Sequence, residues 1–204
     1  MPRAPSASDD EDDDIAPDAL SLLQRDHRLA EELFAEFARS GPQQLDPLAR
    51  RICKMLRVHT QIEEELFYPV VSRALTDDAA ESPTGDDSMV ESAVREHAQA
   101  QESIARIESM TSEQPTFRDE VATLAARIAE HVGKEEQELF PKVSATSLNL
   151  DALGIALAER RDTLLDVLGL HGDDEEGAAN QRDTHPQDAA VPAGRTSVRP
   201  GESG

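Results

Sequence analysis

The sequence predicts an all-α protein, an up-down-up-down four-helix bundle with an additional C-terminal helix and disordered tails. Three observations carry this prediction. Along four long segments, apolar residues recur at steps of three and four, which is the spacing of one helix face. No segment combines period-two alternation with the β-branched enrichment that is typical of strands. Turn-like breaks separate the long segments, so consecutive helices are expected to run antiparallel.

The first two predicted helices belong to the first half of the chain. The first follows Pro17-Asp18 and ends before Ser40-Gly41-Pro42. The second is predicted to start at Asp46-Pro47, as an N-cap and first helical residue, and to continue to about Leu75. Pro69 is predicted to kink or break it, because a proline inside a helix removes a hydrogen bond and clashes with the preceding turn.

The next three helices follow a predicted loop over residues 76–88. The third runs from about Ser88 to Met110, and the fourth begins after Pro115 and is broken again at Pro141. A shorter fifth helix, about Leu150 to Leu168, is predicted to pack outside the bundle. The third helix has one predicted inward face, formed by Val90, Val94, His97, Gln101, Ile104 and Ile107.

Both ends of the chain have compositions typical of disorder. Residues 1–16 carry an acidic run, and residues 171–204 are rich in Gly, Pro, Asp and Ser. Such segments cannot bury enough apolar surface to offset chain entropy. The sequence therefore predicts one domain over residues 17–170 between two tails, and His171 and His185 receive no role.

Charge and apolar content exclude several classes of partner. The formal net charge is −22, which argues against nucleic acid and against an anionic membrane surface. No secretory signal and no apolar run of about 18 residues is present, so no membrane span is predicted. Cys53 is the single cysteine and cannot form an internal disulfide. A cytoplasmic location is the resulting expectation.

One motif occurs twice. In each copy a His is followed four and five residues later by Glu-Glu, and an acid-His pair lies 32 or 34 residues before it. The two copies are shifted by 70 to 72 residues, so they predict two related helical hairpins. The residues are Asp26, His27, His59, Glu63 and Glu64 in the first copy, and Glu96, His97, His131, Glu135 and Glu136 in the second.

All four histidines, and the first glutamate of each copy, fall on the apolar stripes of their helices. Residues four apart are neighbours on a helix face, so Glu63 adjoins His59 and Glu135 adjoins His131. Buried ionised carboxylates are costly unless they are paired or bind a metal. Imidazole suits Fe, Zn, Cu and Ni, and carboxylates can bridge two cations. The repeat therefore favours two metal ions, with His27 and His59 on one and the later histidines on the other.

At these residues the sequence resembles the hemerythrin-like, or hemerythrin/HHE cation-binding, domain family over about residues 18–145. The resemblance implies a non-haem centre of two Fe ions, oxo- or hydroxo-bridged, although another divalent metal also fits the donors. Oxygen-carrying hemerythrins are similar but have a fifth His where this chain has Gln101. That difference leaves one iron more open. The residues that match the family's ligands are His27, His59, Glu63, His97, His131 and Glu135.

Several neighbours of these residues have two interpretations each. Gln101, Glu64 and Glu136 either contact a metal-bound group or ligand, or lie on solvated helix faces. Asp26 and Glu96 point about 100° away from the adjacent His on their helices and are expected at the surface. The single tyrosine, Tyr68, is expected to pack in the core, as is Cys53.

The leading functional hypothesis is a di-iron protein that binds or senses oxygen, nitric oxide or peroxide, with slow peroxide decomposition as its enzymatic variant. The alternatives are an iron-responsive protein and a helical protein-interaction module without redox turnover. The Glu-x-x-His signature of ferritin-like proteins and the His-Glu-x-x-His pattern of zinc hydrolases are both absent.

Overall fold

The computed structural model describes residues 17–78 and 87–168. These residues form α1 (Ala19–Arg39), α2 (Pro42–Ile62), π1 (Glu63–Phe67), α3 (Tyr68–Asp78), α4 (Asp87–Glu108), α5 (Phe117–Lys134), π2 (Glu135–Leu139), α6 (Phe140–Ser144) and α7 (Leu150–Val167). The predictions made for the two tails, for His171 and His185, and for residues 79–86 of the loop lie outside the described residues.

The long helices pack in a closed ring. Helix α1 contacts α2, α2 contacts α4, α4 contacts α5, and α5 contacts α1. The predicted all-α bundle is confirmed, and α7 packs on its outside against α1 and α2. The described part of the chain contains no strand. None of its helices has both the length and the apolar character needed to cross a bilayer.

The predicted start of the second helix is wrong. The helix begins at Pro42, after Gly41, and Pro47 lies inside it. Pro42 already supplies the preset φ angle that favours a first helical residue, so the helix starts at the earlier proline. Asp46 instead accepts hydrogen bonds from the backbone N–H and the hydroxyl of Ser112, which ties α2 to the turn after α4.

Neither Pro69 nor Pro141 ends its helix, so the predicted break is wrong at both, while the kink given as the alternative at Pro69 stays a prediction. Each proline follows a single wide turn in a helix that otherwise continues. The N–H groups of Tyr68 and Phe140 donate to carbonyls five residues earlier, at Glu63 and Glu135. The missing N–H of each proline thus falls next to the point where the hydrogen-bond register changes. Wide turns of this kind are rare and are often found at functional sites.

Two apolar clusters fill the bundle, and a polar layer separates them along each long helix. In α1, for example, Leu23 belongs to one cluster, Leu33 belongs to the other, and His27 lies between them. One predicted core residue is misplaced: Val94 is 41% exposed. Ala93 and Ala100 are buried instead. The buried face of α4 follows steps of three and four residues through Ala93, His97 and Ala100, and Val94 lies outside this face.

Candidate metal centre

The structure brings together the six residues that the sequence singled out as ligands. Each lies in the polar layer and is at most 5% exposed, although each has a charged or titratable side chain. They come from all four long helical stretches of the bundle. The set consists of His27 from α1, His59 from α2, Glu63 from π1, His97 from α4, His131 from α5 and Glu135 from π2.

Each glutamate lies one turn after a histidine of its own helix. Glu63 Oε2 is 3.2 Å from His59 Nε2, and Glu135 Oε2 is 3.4 Å from His131 Nε2. Both glutamates open a π turn, so the wide turn occurs where the carboxylate enters the polar layer.

The same two oxygen atoms also reach the other half of the repeat. Glu63 Oε2 is 3.4 Å from His97 Nε2, and Glu135 Oε2 is 3.3 Å from the Nε2 atom of His27. The imidazoles pair within each half, with ring centroids 4.9 Å apart for His27 and His59 and 4.6 Å apart for His97 and His131. Each carboxylate therefore lies between two pairs of imidazoles.

Unsatisfied polar atoms indicate that this cluster is suited to cations. Both carboxylate oxygens of Glu63 and the Oε2 atom of Glu135 are buried without a hydrogen-bond partner. The Nε2 atoms of His27 and His59 are also buried without a hydrogen-bond partner. Buried groups of this kind are normally hydrogen-bonded, paired or coordinated to a metal.

The spacing of these atoms fits the same interpretation. The donor atoms form two groups, and within each group all atoms lie within 4.8 Å of one another. One group comes from His27, His59, Glu63 and Glu135, and the other comes from Glu63, His97 and His131. Two ligands at right angles around an ion, each about 2.1 Å from it, lie about 3.0 Å apart. The observed contacts between imidazole nitrogens and carboxylate oxygens, 3.2 to 3.4 Å, are close to that value. The residues therefore fit cation binding, and Glu63 is common to both groups.

The electrostatics of the metal-free cluster are unbalanced. Burial and the charge of Glu135 raise the pKa of Glu63 to about 7. Burial alone would raise the pKa of Glu135 as well, but its close contact with His27 and the charges of the other nearby imidazoles lower it to about 2. Burial would lower the pKa of His27, yet its contacts with Glu135 and Glu63 raise it to about 9. Two carboxylates this close need positive charge between them, which protons or cations can supply.

A second carboxylate contacts the Nδ1 atom of every imidazole, and each comes from a neighbouring helix. The distances are 3.8 Å from Asp26 to His59, 3.0 Å from Glu64 to His97, 3.0 Å from Glu96 to His131 and 2.8 Å from Glu136 to His27. These contacts run once around the bundle, from α1 to α2, α4, α5 and back. Carboxylates in this position fix the orientation of a ligating imidazole and raise its basicity.

The prediction that Asp26 and Glu96 lie at the surface is therefore wrong. Asp26 is 8% exposed, and Glu96 accepts a hydrogen bond in the contact with His131. A residue about 100° around the helix from its neighbouring His does point away from that His, as predicted. In a closed bundle, however, that direction leads to the next helix rather than to solvent. Asp26 also pairs with Arg161 of α7, at 3.1 Å.

Tyr68 does more than pack in the core. It is 2% exposed, its hydroxyl donates to Glu135 Oε1 at 2.8 Å, and the same hydroxyl lies 3.2 Å from His97 Nε2. Phe140 holds the corresponding place in the other half, and its ring stacks on His27 with an interplanar angle of 8°. The sequence offered one signal for this role: the first copy of the motif has a tyrosine where the second copy has a phenylalanine.

The amide of Gln101 is hydrogen-bonded to residues outside the six-residue cluster. Its amide nitrogen donates to Thr60 Oγ1 at 2.7 Å, and its amide oxygen accepts from Arg57 at 2.8 Å. Both polar atoms of the side chain are thus engaged one turn away from His97. The sequence predicts that Arg57 faces outward and gives no role to Arg161, whose partner Asp26 lies 135 residues away along the chain.

Comparison with known proteins supports the same assignment. The family model "Hemerythrin HHE cation binding domain" matches residues 18–143. A hemerythrin HHE cation-binding domain-containing protein from Mycobacterium kansasii has a similar fold, with a TM-score of 0.61 at 20% identity, covering 78% of this chain and 96% of that one.

A DNA nickase from Nostoc sp. is 28% identical over 123 residues, which are 60% of this chain but only 32% of the nickase. This chain therefore spans about a third of that relative's length. Since the family model covers most of the described domain, the chain belongs to the hemerythrin HHE cation-binding domain family.

Proposed function

We propose that this protein is a non-haem di-iron protein of hemerythrin-like type that binds or senses oxygen, nitric oxide or peroxide. The observation that carries the proposal is a buried cluster of nitrogen and oxygen atoms from the four long helical stretches, in which several atoms have no hydrogen-bond partner. A helical interaction module would have no need for such a costly layer in its core.

The donor set favours iron among the divalent metals. It mixes imidazole nitrogen with carboxylate oxygen, and His-carboxylate sets with open positions are typical of non-haem iron. Bound iron would supply open coordination positions and reversible one-electron chemistry. His27 and His59 would hold one ion, His97 and His131 the other, and Glu63 and Glu135 both.

The surrounding residues would support binding in specific ways. The carboxylates hydrogen-bonded to the Nδ1 atoms of His27, His97 and His131 keep these imidazoles in the tautomer that leaves Nε2 free for the ion. The buried Tyr68 hydroxyl offers a hydrogen bond inside the site, and its pKa is raised well above the ordinary value by burial and by the two glutamates, so it keeps its proton. These roles suit ligand binding or sensing better than rapid turnover. A cytoplasmic location is part of the proposal, in keeping with the single, free and buried Cys53.

Elemental analysis combined with an optical spectrum tests the proposal. The full chain is purified without oxygen, its iron content is measured, and spectra are recorded before and after exposure to air. We expect two iron ions per chain and absorption bands in the near ultraviolet that depend on oxygen. Iron without an oxygen-dependent spectrum would favour an iron-responsive protein, whereas failure to take up metal on reconstitution would refute the di-iron assignment.

A further inference from the structure

We propose that an external ligand enters the centre from the α4–α5 side, beside His97 and His131, and that the side of His27 and His59 is closed to it. The inference rests on the proposed function and specifies which half of the site takes the ligand. The expected class is a small hydrogen-bond acceptor of two or three atoms, such as azide, nitric oxide or hydroperoxide.

Two pockets lie against this half of the site. One, of about 260 Å³, is lined in part by His97 and His131. The other, of about 390 Å³, is lined in part by His131 and Glu135. Since a water molecule takes up about 30 Å³ of liquid, either pocket admits a small ligand together with its hydration shell. Glu96 and Ser92 line both pockets, so they lie on the shared approach.

The chain adds no further donor at the position four residues after His97. Gln101 stands there, and Arg57 and Thr60 occupy both polar atoms of its amide. The position beside His97 and His131 therefore gains no donor from Gln101, which leaves room for a ligand that the chain does not supply.

The polar lining follows the same division. Tyr68 brings a hydroxyl to within 3.2 Å of His97 Nε2, where it can redirect its hydrogen bond from Glu135 to an incoming acceptor. Phe140, the equivalent residue in the repeat, lies flat on His27 and has no donor, with ring centroids 5.8 Å apart. A ligand that accepts hydrogen bonds is thus better accommodated in the half that contains Tyr68.

The covers of the two halves differ in strength. Helix α7 lies over the α1–α2 side, where it anchors the fully buried Leu157 and pairs Arg161 with the buried Asp26. On the α4–α5 side, Glu96 is held by an ion pair with Lys134, whose side chain is 44% exposed. Exposed ion pairs contribute little to stability, so this cover can open readily.

The test compares ligand entry in two variants that each remove one partly exposed cation. Lys134→Met releases Glu96 on the proposed entry side and also removes the pair with Glu130, whereas Arg160→Met breaks the Arg160–Glu65 pair on the α7 side. The full chain is loaded with iron, iron content is measured, and azide association is followed by stopped-flow absorbance. A second readout is the rate at which an external chelator removes iron.

We expect Lys134→Met to raise the azide association rate and the iron-removal rate about threefold or more, and Arg160→Met to leave both within about twofold. Ser92→Trp, which fills the shared approach, should slow azide association by about tenfold or more. Equal effects of Lys134→Met and Arg160→Met, or a Ser92→Trp protein that folds and binds azide at the wild-type rate, would overturn the inference while leaving the di-iron proposal intact. If Ser92→Trp does not fold, the Lys134 and Arg160 pair still decides. A wild-type protein that takes up no iron would refute both proposals.

Discussion

The two halves of the metal centre have the same ligand types but different surroundings. Each contributes two imidazoles and one carboxylate at matching places in the repeat, and the ring pairs differ by only a few tenths of an ångström, 4.9 against 4.6 Å between centroids. The residues that surround the two halves differ. One half is covered by α7 and Phe140, and the other by Tyr68, an exposed ion pair and two pockets.

This difference separates what the repeated motif determines from what it leaves open. The repeated residues build two equivalent groups of donor atoms, because each copy places the same atoms at the same depth in the bundle. Residues outside the repeat, or changed between its copies, make the surroundings of the two groups differ. If the proposed function holds, metal binding and access to the metal are encoded by separate parts of the chain.

The largest effect is expected from removing what the two halves share. Glu63 and Glu135 each contact an imidazole from both halves, so Glu63→Gln or Glu135→Gln should lower the metal content from two ions per chain to one or none. Elemental analysis after reconstitution measures this directly. If both variants kept two ions with unchanged spectra, neither glutamate would bridge.

The next effect distinguishes the carboxylates that contact the imidazoles. Glu96 lies 3.0 Å from His131 Nδ1, whereas Asp26 is 3.8 Å from His59 Nδ1 but pairs with Arg161. We expect Glu96→Gln to weaken metal affinity about 10- to 100-fold. Asp26→Asn should weaken affinity less but lower the melting temperature more, because it leaves a partly buried Arg161 without its charged partner.

Competition against a chelator gives the affinities, and thermal unfolding of the metal-free variants gives the stabilities. If one substitution caused both the larger loss of metal affinity and the larger loss of melting temperature, the expected division of roles would be wrong.

The metal-free protein should lose stability as pH rises. Burial and Glu135 raise the pKa of Glu63 from 4.5 to about 7, so the folded state holds a proton that the unfolded state releases, and stability falls between these values. Burial would lower the pKa of His27, but Glu135 and Glu63 raise it from 6.5 to about 9, so its contribution is full below 6.5 and is lost as pH passes 9. Both groups act in the same direction. Burial lowers the pKa of His97, so this group acts in the opposite direction below 6.5, and a net loss requires the first two to outweigh it.

Melting temperatures of the metal-free chain between about pH 5 and about pH 9 measure this slope, with Glu63→Gln as the control that removes the lower part of it. Bound metal should flatten the profile, because the cations then supply the charge that protons supply in their absence. A metal-free protein more stable at the upper end of this range would contradict the assigned shifts.

Helical periodicity and the spacing of the repeat were enough to predict the bundle and to single out the six residues that converge in it. Local periodicity could not show what lies across a helix interface. For Asp26 and Glu96, the helical repeat predicts the direction in which the side chain points. It does not predict which neighbouring helix lies in that direction, so both residues are expected at the surface. Arg161 and Gln101 have partners 135 and 44 residues away, and such pairings arise only when the helices assemble.

The smallest effect is expected at the two prolines, which test whether the repeat extends to the backbone. Pro69→Ala and Pro141→Ala should each change the free energy of unfolding by less than about 1 kcal/mol, because each proline follows a π turn whose register already accommodates its missing N–H. A proline forced into an ordinary helix costs about 3 kcal/mol, so a gain of that size on replacement would show a strained helix instead. Crystal structures of both variants decide what sets the wide turn. If it persists with alanine, the buried carboxylates of Glu63 and Glu135 hold it, and the prolines merely tolerate it.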